Sequence, residues 1–305
     1  MASAPSLTLL SYAALTFAYL QAVLGAFVRI TGSGMGCGDH WPKCHGFWFP
    51  PLQRVDLIIE VTHRYVAAAL TLLVLTLLFA AWRSRATPGV GGPGGVLRPA
   101  AAGAALVVAA ALLGALTVKL ELHAAAVVVH LAIAMMLIGA LALAAVRSRS
   151  LIHRPPKASA RAIRGASAAA ATAFLAVLLG GITANLAGAA VSCVGFPHCR
   201  AVTVTGAPLA AQILHRILAV ALLLHLLGLV IAFRKRGEPG TTRRWAQIAF
   251  AVVVAQILVA AGMVETGLPL HLRILHQALG TLVWLTTFVF AAVARQARVS
   301  GSAAS

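Results

Sequence analysis

Acidic residues are scarce in this chain of 305 residues, which has only six of them against 24 lysines and arginines. Charged residues of either sign make up 10% of the sequence, whereas 61% of the residues are hydrophobic. A water-soluble globular protein of this size needs a more polar surface, so the composition excludes that class. Nucleic-acid binding is not expected either, because the basic residues separate apolar segments instead of forming one patch. We therefore expect an integral membrane protein with its core in the lipid bilayer.

Eight apolar segments are each long enough, at about 20 residues, to cross a hydrocarbon core roughly 30 Å thick. They lie at Leu7–Ile30, Leu57–Trp82, Leu97–Val118, His123–Val146, Ala162–Leu186, Pro208–Phe233, Trp245–Val264 and Leu270–Ala294. The first segment lacks both a charged n-region and a small-residue cleavage site. We therefore interpret it as a retained helix and not as a signal peptide.

Basic residues are concentrated in the loops after the second, fourth and sixth spans and in the C-terminal tail. These regions hold 16 of the 24: Arg83, Arg85, Arg98, Arg147, Arg149, Arg154, Lys157, Arg161, Arg164, Arg234, Lys235, Arg236, Arg243, Arg244, Arg295 and Arg298. The positive-inside rule places these loops and both termini in the cytoplasm of a cell with a bacterial-type inner membrane. The loops that contain the cysteines then lie outside.

The chain contains an internal repeat of two halves with four spans each. Matching positions hold the same residue types: Leu24 and Leu179, His63 and His215, His130 and His276, and the pairs Cys37/Cys44 and Cys193/Cys199. Because each half has an even number of spans, the repeat is parallel. We predict an all-α membrane protein with two pseudo-symmetric four-helix bundles. Residues 1–150 and 165–305 form the two halves, and residues 151–164 form a basic cytoplasmic linker.

Four histidines lie about two turns into the even-numbered spans, at a depth of roughly 10 Å from the outer helix ends. They are His63, His130, His215 and His276. Two facing helices could hold one haem iron between two imidazoles. The alternative for a single histidine in a membrane is a hydrogen bond across helices, but four histidines in repeat register favour ligation. Zinc is less suitable because it needs three or four close ligands.

Four arginines are candidates for binding haem propionates: Arg29, Arg64, Arg216 and Arg273. A guanidinium group forms paired hydrogen bonds with a carboxylate, which is the chemistry that a propionate requires. The alternative is that these side chains reach towards water at the outer interface. The sequence leaves both interpretations open.

Glu60 lies three residues before His63, whereas the equivalent position in the second half is Gln212. A carboxyl group within a span typically marks a proton path or a reacting centre, and an amide cannot exchange protons in that way. We therefore predict that the first half is the reaction centre and that the second half holds a permanent haem. The alternative is that Glu60 pairs with Arg64, four residues further along the helix.

Each cysteine pair encloses a short loop that contains proline, on the oxidising side of the membrane. We expect two disulfides, Cys37–Cys44 and Cys193–Cys199. The alternative for the first loop is a metal site, because His40 and His45 lie beside its cysteines. The second loop supplies a single histidine with its two cysteines, which is too few ligands for a closed zinc site.

Motifs along nearly the whole chain resemble the haem A synthase family, which has bacterial and mitochondrial members. They are GSGMGC at 32–37, Trp41-Pro42 and Cys44, EVTHR at 60–64, VHL at 129–131, LHR at 214–216 and ILHQ at 274–277. The resemblance implies a membrane-bound oxidoreductase that oxidises the C8 methyl group of haem O to the formyl group of haem A. The family does so by successive hydroxylations, after which the gem-diol loses water. One departure is His40, which lengthens the first cysteine loop relative to the commoner family pattern.

The resemblance also implies a role for each site residue. His215 and His276 would ligate a cofactor haem b, His63 and His130 would bracket the substrate haem O, and Glu60 would assist the oxidation. Haem O synthase is an expected partner. The sequence contains no flavin, nicotinamide or iron-sulfur motif, so a quinol or a separate reductant protein must supply electrons. Small-residue faces such as residues 100–105 would permit a homo-oligomer.

Two other classes of protein remain as alternatives. A di-haem b electron-transfer protein would use the same four histidines, but it gives no reason for a carboxylate in only one half. A transporter with a parallel repeat typically has broken helices at its site, whereas the spans that carry the histidines contain no internal proline.

Overall fold

A computed structural model describes residues 3–38, 40, 42–153, 156 and 158–299 of the chain, with side chains as far as residue 296. Predictions that involve Asp39, Trp41, Arg154, Pro155, Lys157 and the side chain of Arg298 lie outside the described residues. The described residues form eight α-helices: α1 Ala4–Ile30, α2 Val55–Arg83, α3 Leu97–Lys119, α4 Ala124–Ser150, α5 Ala160–Asn185, α6 Ala207–Lys235, α7 Gly240–Glu265 and α8 Leu270–Val299. This confirms the predicted all-α fold with eight spans.

All eight helices are long and apolar enough to cross a membrane, so the chain is a multi-pass membrane protein. Most of them extend several residues beyond the apolar segments that predicted them. Helix α5, for example, begins at Ala160, within the predicted linker, because the Ser159 side chain accepts a hydrogen bond from the N–H of Ala162 at 3.1 Å. Hydropathy detects the part of a helix in lipid, whereas such capping bonds decide where the helix begins.

The helices of each half are neighbours in a closed ring. Helix α1 contacts α2 and α4, and α3 contacts the same two helices; α5 contacts α6 and α8, and α7 contacts the same two. In each ring, the two helices that carry histidines therefore lie diagonally opposite each other, α2 opposite α4 and α6 opposite α8. These contacts support the interpretation as two bundles, which remains a prediction.

Helices α1, α4, α5 and α8 bring the two halves together. Helix α5 presents alanines that are fully buried, among them Ala166, Ala169 and Ala173, and such small side chains let helices approach closely. The indole N–H of Trp284 on α8 donates to the carbonyl oxygen of Met135 on α4 at 2.8 Å. This hydrogen bond links the two halves within the apolar core.

Short irregular segments cover the ends of the helices where the cysteines lie. A 3-10 turn at Ser33–Met35 precedes the first cysteine loop, which we define as residues 37–44. Another turn at Ala189–Val191 precedes the second cysteine loop, residues 193–199. The strands β1 Cys193–Val194 and β2 Ala201–Val202 pair in antiparallel fashion around the second loop.

Candidate functional site

The histidines of the second half face each other inside the bundle formed by helices α5 to α8. The ring centroids of His215 on α6 and His276 on α8 are 6.4 Å apart, and the rings are inclined at 78°. An imidazole nitrogen binds a metal at about 2 Å, and the centre of the imidazole lies roughly 1 Å beyond that nitrogen. Two imidazoles on opposite sides of one metal would therefore have centroids about 6 Å apart. The spacing therefore fits two axial ligands of one haem iron.

A zinc-type cluster is not formed by the residues that the structure describes, because no group of three or more His, Cys, Asp or Glu side chains comes together there. The donor set at each centre is a pair of imidazoles, which suits haem and not a closed tetrahedral site. All four histidine side chains are half-buried.

Two glycines in equivalent positions of the repeat make room for histidine rings. A Cβ atom at Gly25 of α1 would lie 3.0 Å from Cε1 of His63, and a Cβ atom at Gly180 of α5 would lie 2.9 Å from Cε1 of His215. Any larger residue would displace the rings. The sequence alignment of the halves contained these glycines, but it did not reveal their function.

The first half places His63 on α2 and His130 on α4. His130 lies close enough to His63 to interact with it electrostatically. The amide nitrogen of Gln21 on α1 lies 3.1 Å from Nδ1 of His63, and the ring of His130 lies against Gly114 of α3, where a Cβ atom would be 3.4 Å from Cε1. The structure therefore brings together the two histidines that their equal depth in the first half predicted as a pair.

Glu60 connects helix α2 to the first cysteine loop. Its carboxylate accepts a hydrogen bond from the N–H of Cys37 at 2.8 Å and forms an ion pair with Arg64 at 2.5 Å. The exposed fraction of the Glu60 side chain is only 5%. The structure thus shows the pairing of Glu60 with Arg64 that the sequence offered as an alternative, and it adds a contact to the loop that the sequence did not predict.

Gln212 makes the corresponding contacts in the second half. Its Oε1 atom accepts hydrogen bonds from the N–H of Cys193 at 2.7 Å and from the hydroxyl group of Ser192 at 2.6 Å. Glu60 and Gln212 therefore share one structural role, which is to hold a cysteine loop against the start of a helix. The two residues differ in charge and in their capacity to exchange a proton.

Both predicted disulfides, Cys37–Cys44 and Cys193–Cys199, are present. This confirms the disulfide prediction, and it excludes a metal site that uses the thiolates of the first loop. The second loop has an additional attachment, because Arg200 donates to the carboxylate of Glu265 at 2.7 Å. That hydrogen bond raises the pKa of the Arg200 guanidinium.

The four candidate arginines fall into two groups. Arg64 donates to the carbonyl oxygens of His40 at 2.8 Å and Pro42 at 3.3 Å. Arg216 donates to those of Gly195 at 2.8 Å and Cys193 at 3.0 Å. These two arginines therefore fasten the cysteine loops.

The second group lies between the halves. Arg29 donates to the carbonyl oxygen of Ala184 at 3.2 Å, and Arg273 is near enough for the two positive charges to repel each other. Two like charges held close together favour the binding of an anion between them. Arg29 and Arg273 therefore fit propionate carboxylates better than the loop-bound arginines do.

Comparison with known proteins shows the family to which the chain belongs. The model of the COX15-CtaA family, described as cytochrome oxidase assembly protein, matches residues 8–58 and 53–288. The chain therefore belongs to this family of multi-pass membrane proteins.

Curated relatives match the chain over different lengths. The chain is 29% identical over 265 residues to a "Heme A synthase" of Alkalihalophilus pseudofirmus, with 83% of this chain and 85% of the relative covered. It is 47% identical over 72 residues to a "Heme A synthase" of Geobacillus kaustophilus, with 23% of each chain covered. It is also 33% identical over 300 residues to a "Protoheme IX farnesyltransferase" of Thermus thermophilus, with 90% of this chain covered. The chain spans only 46% of the length of that Thermus relative.

Proposed function

We propose that the protein is a haem A synthase, a membrane-bound, haem-dependent oxidoreductase that converts the C8 methyl group of haem O into the formyl group of haem A. The observation that carries this proposal is the presence of two histidine pairs in repeat register, only one of which has a carboxylate beside it. The similarity to a relative named "Heme A synthase" over most of both chains supports the same function.

The two halves have different roles in this proposal. Residues 1–150 form the bundle that binds haem O between His63 and His130, and residues 165–305 form the bundle that holds haem b between His215 and His276. Residues 151–164 connect them. The close fit of the His215 and His276 rings to axial ligation supports a permanent cofactor in the second half.

Haem b supplies electron transfer when it is bound, and the protein supplies ligation, orientation and proton transfer. His215 and His276 are the residues that would hold the haem iron. Glu60 is the proton-exchanging group of the first half, since Gln212 cannot act in this way at the equivalent position. Arg64 keeps the Glu60 carboxylate oriented through their ion pair.

Arg29 and Arg273 bind propionate groups in this proposal, and their position between the halves is suitable for contact with either haem. The apolar helices around each site exclude water, which strengthens the interaction of these cations with carboxylates. Arg64 and Arg216 contribute to propionate binding only if they release some of their contacts to loop carbonyl oxygens.

The proposed location is the cell membrane, with both termini in the cytoplasm and both cysteine loops outside. Two successive hydroxylations of a methyl group also need an oxidant. With dioxygen, each hydroxylation inserts one oxygen atom and reduces the other to water, using two protons and two electrons that a quinol or a reductant protein supplies. Haem O synthase is the proposed protein partner, since the Thermus relative named as a protoheme farnesyltransferase contains a segment similar to 90% of this chain. Small residues that are exposed on α3, such as Ala101, Ala102 and Ala105, would also permit contact between copies of the chain.

The test is to express the chain in a host that makes haem O but no haem A, and to identify the extracted haems by chromatography with mass detection. Haem A, or its hydroxymethyl intermediate, is expected with the chain and absent with an empty vector. If the purified protein contains only unmodified haems despite ample haem O and a competent reductant, the proposal is wrong. The protein would then be better described as a di-haem b electron-transfer protein.

A further inference from the structure

Each candidate ligand histidine lies against a group on the helix that precedes its own. The four contacts are Gln21 with His63, the Ala110 carbonyl with His130, the Ala176 carbonyl with His215, and Gln256 with His276. Three of them are within hydrogen-bond distance of Nδ1, at 3.1, 2.9 and 3.1 Å for His63, His215 and His276 respectively. The amide nitrogens of Gln21 and Gln256 also lie 3.3 and 3.4 Å from the ring Nε2 atoms, so each amide faces the ring edge between the two nitrogens and is nearest to Nδ1. The His130 ring lies near the Ala110 carbonyl but outside hydrogen-bond geometry.

These contacts follow a crossed pattern within the repeat. Gln21 and Ala176 are 155 residues apart, which is the offset between Leu24 and Leu179. Ala110 and Gln256 are 146 residues apart, which is the offset between His130 and His276. Each half therefore has one histidine beside a glutamine and one beside a backbone carbonyl, but the two halves assign the glutamine to opposite histidines.

A ligand histidine needs a hydrogen-bond acceptor on the side away from the metal. One ring nitrogen gives its lone pair to the metal, and the other carries the proton, so a partner that accepts this proton fixes the ring and increases its basicity. The carbonyl of Ala176 already serves His215 in this way. A glutamine can serve the same purpose only through its Oε1 atom, because its Nε2 atom is a donor.

The Oε1 atoms of both glutamines are available for this role. Gln21 Oε1 and Gln256 Oε1 are buried, and neither has a hydrogen-bond partner among the described residues. The amide oxygen and nitrogen have nearly the same shape, so a half turn of the amide brings Oε1 to the place that Nε2 occupies. We propose that Gln21 and Gln256 are positioning residues that orient His63 and His276 as iron ligands by accepting their Nδ1–H protons.

This inference rests on the proposed function, because it takes the histidines to be haem ligands. The two glutamines differ in how well they can act as acceptors, which distinguishes the two halves. The Nε2 atom of Gln21 also donates to the backbone carbonyl of His63 at 3.0 Å. Turning its amide removes that hydrogen bond and brings two acceptor oxygens together, which is unfavourable. For Gln256, only its contact with the His276 ring is present among the described residues. His276 therefore receives the better acceptor, as suits a retained cofactor, and His63 receives the weaker one, as suits a haem that enters and leaves.

The experiment uses the full-length protein purified with its haem. Gln256→Leu removes the acceptor, and Gln256→Glu strengthens it. Gln247→Leu, on the exposed surface of the same helix, is the matched control. The readouts are the midpoint reduction potential of the retained haem and the rate at which apomyoglobin removes it. Loss of a partner that orients a metal ligand typically costs 10- to 100-fold in metal affinity. We therefore expect haem loss from Gln256→Leu to be roughly tenfold faster or more.

The direction of the potential separates this role from a general loss of stability. Gln256→Leu makes His276 a weaker electron donor to the iron and should raise the midpoint reduction potential. Gln256→Glu makes His276 a stronger electron donor and should lower the potential. Unchanged potentials and haem loss equal to that of Gln247→Leu would overturn the inference, as would shifts of the same sign in both variants. If the wild-type protein contains no haem with two histidine ligands, the proposed function itself fails. The two failures are therefore distinguishable.

Discussion

The Glu60→Gln variant tests the chemistry of the first half with little structural disturbance. Glutamine is the residue that the second half has at the equivalent position, where Oε1 of Gln212 accepts the N–H of Cys193 at 2.7 Å. We therefore expect the amide side chain introduced at position 60 to hold Cys37 in the same way. The first cysteine loop and its disulfide should remain in place.

The structural cost arises from the lost ion pair between Glu60 and Arg64, whose side chains are 5% and 14% exposed. A hydrogen bond to a charged group contributes about 1.5–3 kcal/mol to stability. Arg64 keeps two carbonyl partners in the loop, and a neutral amide can still accept from it. We therefore expect a loss near the lower end of this range, at about 1.5 kcal/mol.

The effect on activity should be much larger. General acid–base catalysis contributes about 10²- to 10⁴-fold to a rate, so haem A formation should fall by roughly 100-fold or more. The assay measures haem A and its hydroxymethyl intermediate in extracts after a fixed time. The haem content of the purified protein and its thermal unfolding in detergent are measured in parallel. The haem content should change little, and the midpoint of unfolding should fall only by the few degrees that a loss of about 1.5 kcal/mol implies.

Gln212→Glu is the matched control, because it makes the reciprocal exchange in the second half. This variant should form haem A at close to the wild-type rate. If Glu60→Gln keeps most of the wild-type activity, Glu60 is only an anchor for the loop and the predicted catalytic role is refuted. A parallel fall in haem content, or a loss of stability far above about 1.5 kcal/mol, would also refute it, since the defect would then be structural.

Three further predictions concern packing and the loops. Gly180→Ala should displace the ring of His215 and lower the haem content several-fold. The control is Gly228→Ala, where a Cβ atom meets nothing within 4 Å and the haem content should not fall. An equal haem content in both variants would contradict the proposed packing of the His215 ring. Without reductant, no cysteine should react with an alkylating reagent in mass spectra of the denatured protein, and four should react after reduction; modified thiols in the unreduced sample would contradict the disulfides. Trp284→Phe should lower the free energy of unfolding by about 1 kcal/mol, because the bond to the Met135 carbonyl is lost; an unchanged midpoint of thermal unfolding would show that this bond contributes nothing.

The sequence determined the class of protein and the number of helices. A bilayer accepts only segments that satisfy their own backbone hydrogen bonds, so apolar length alone predicts the helices. The even-numbered spans all start on the outer side, so the equal depth of their histidines predicted one pair in each half, His63 with His130 and His215 with His276. The disulfides were also predictable, because the side of the membrane sets the redox state of the cysteines.

Tertiary structure decided how the site residues contact one another. Glu60 reaches the N–H of Cys37, 23 residues away in sequence, only because the first cysteine loop folds back over the start of α2. Gln21 and Gln256 show no motif, since each acts on a histidine of the next helix and helix rotation determines which side chains meet. Hydropathy and spacing carry information along one helix. The contacts between helices depend on packing that no single segment encodes.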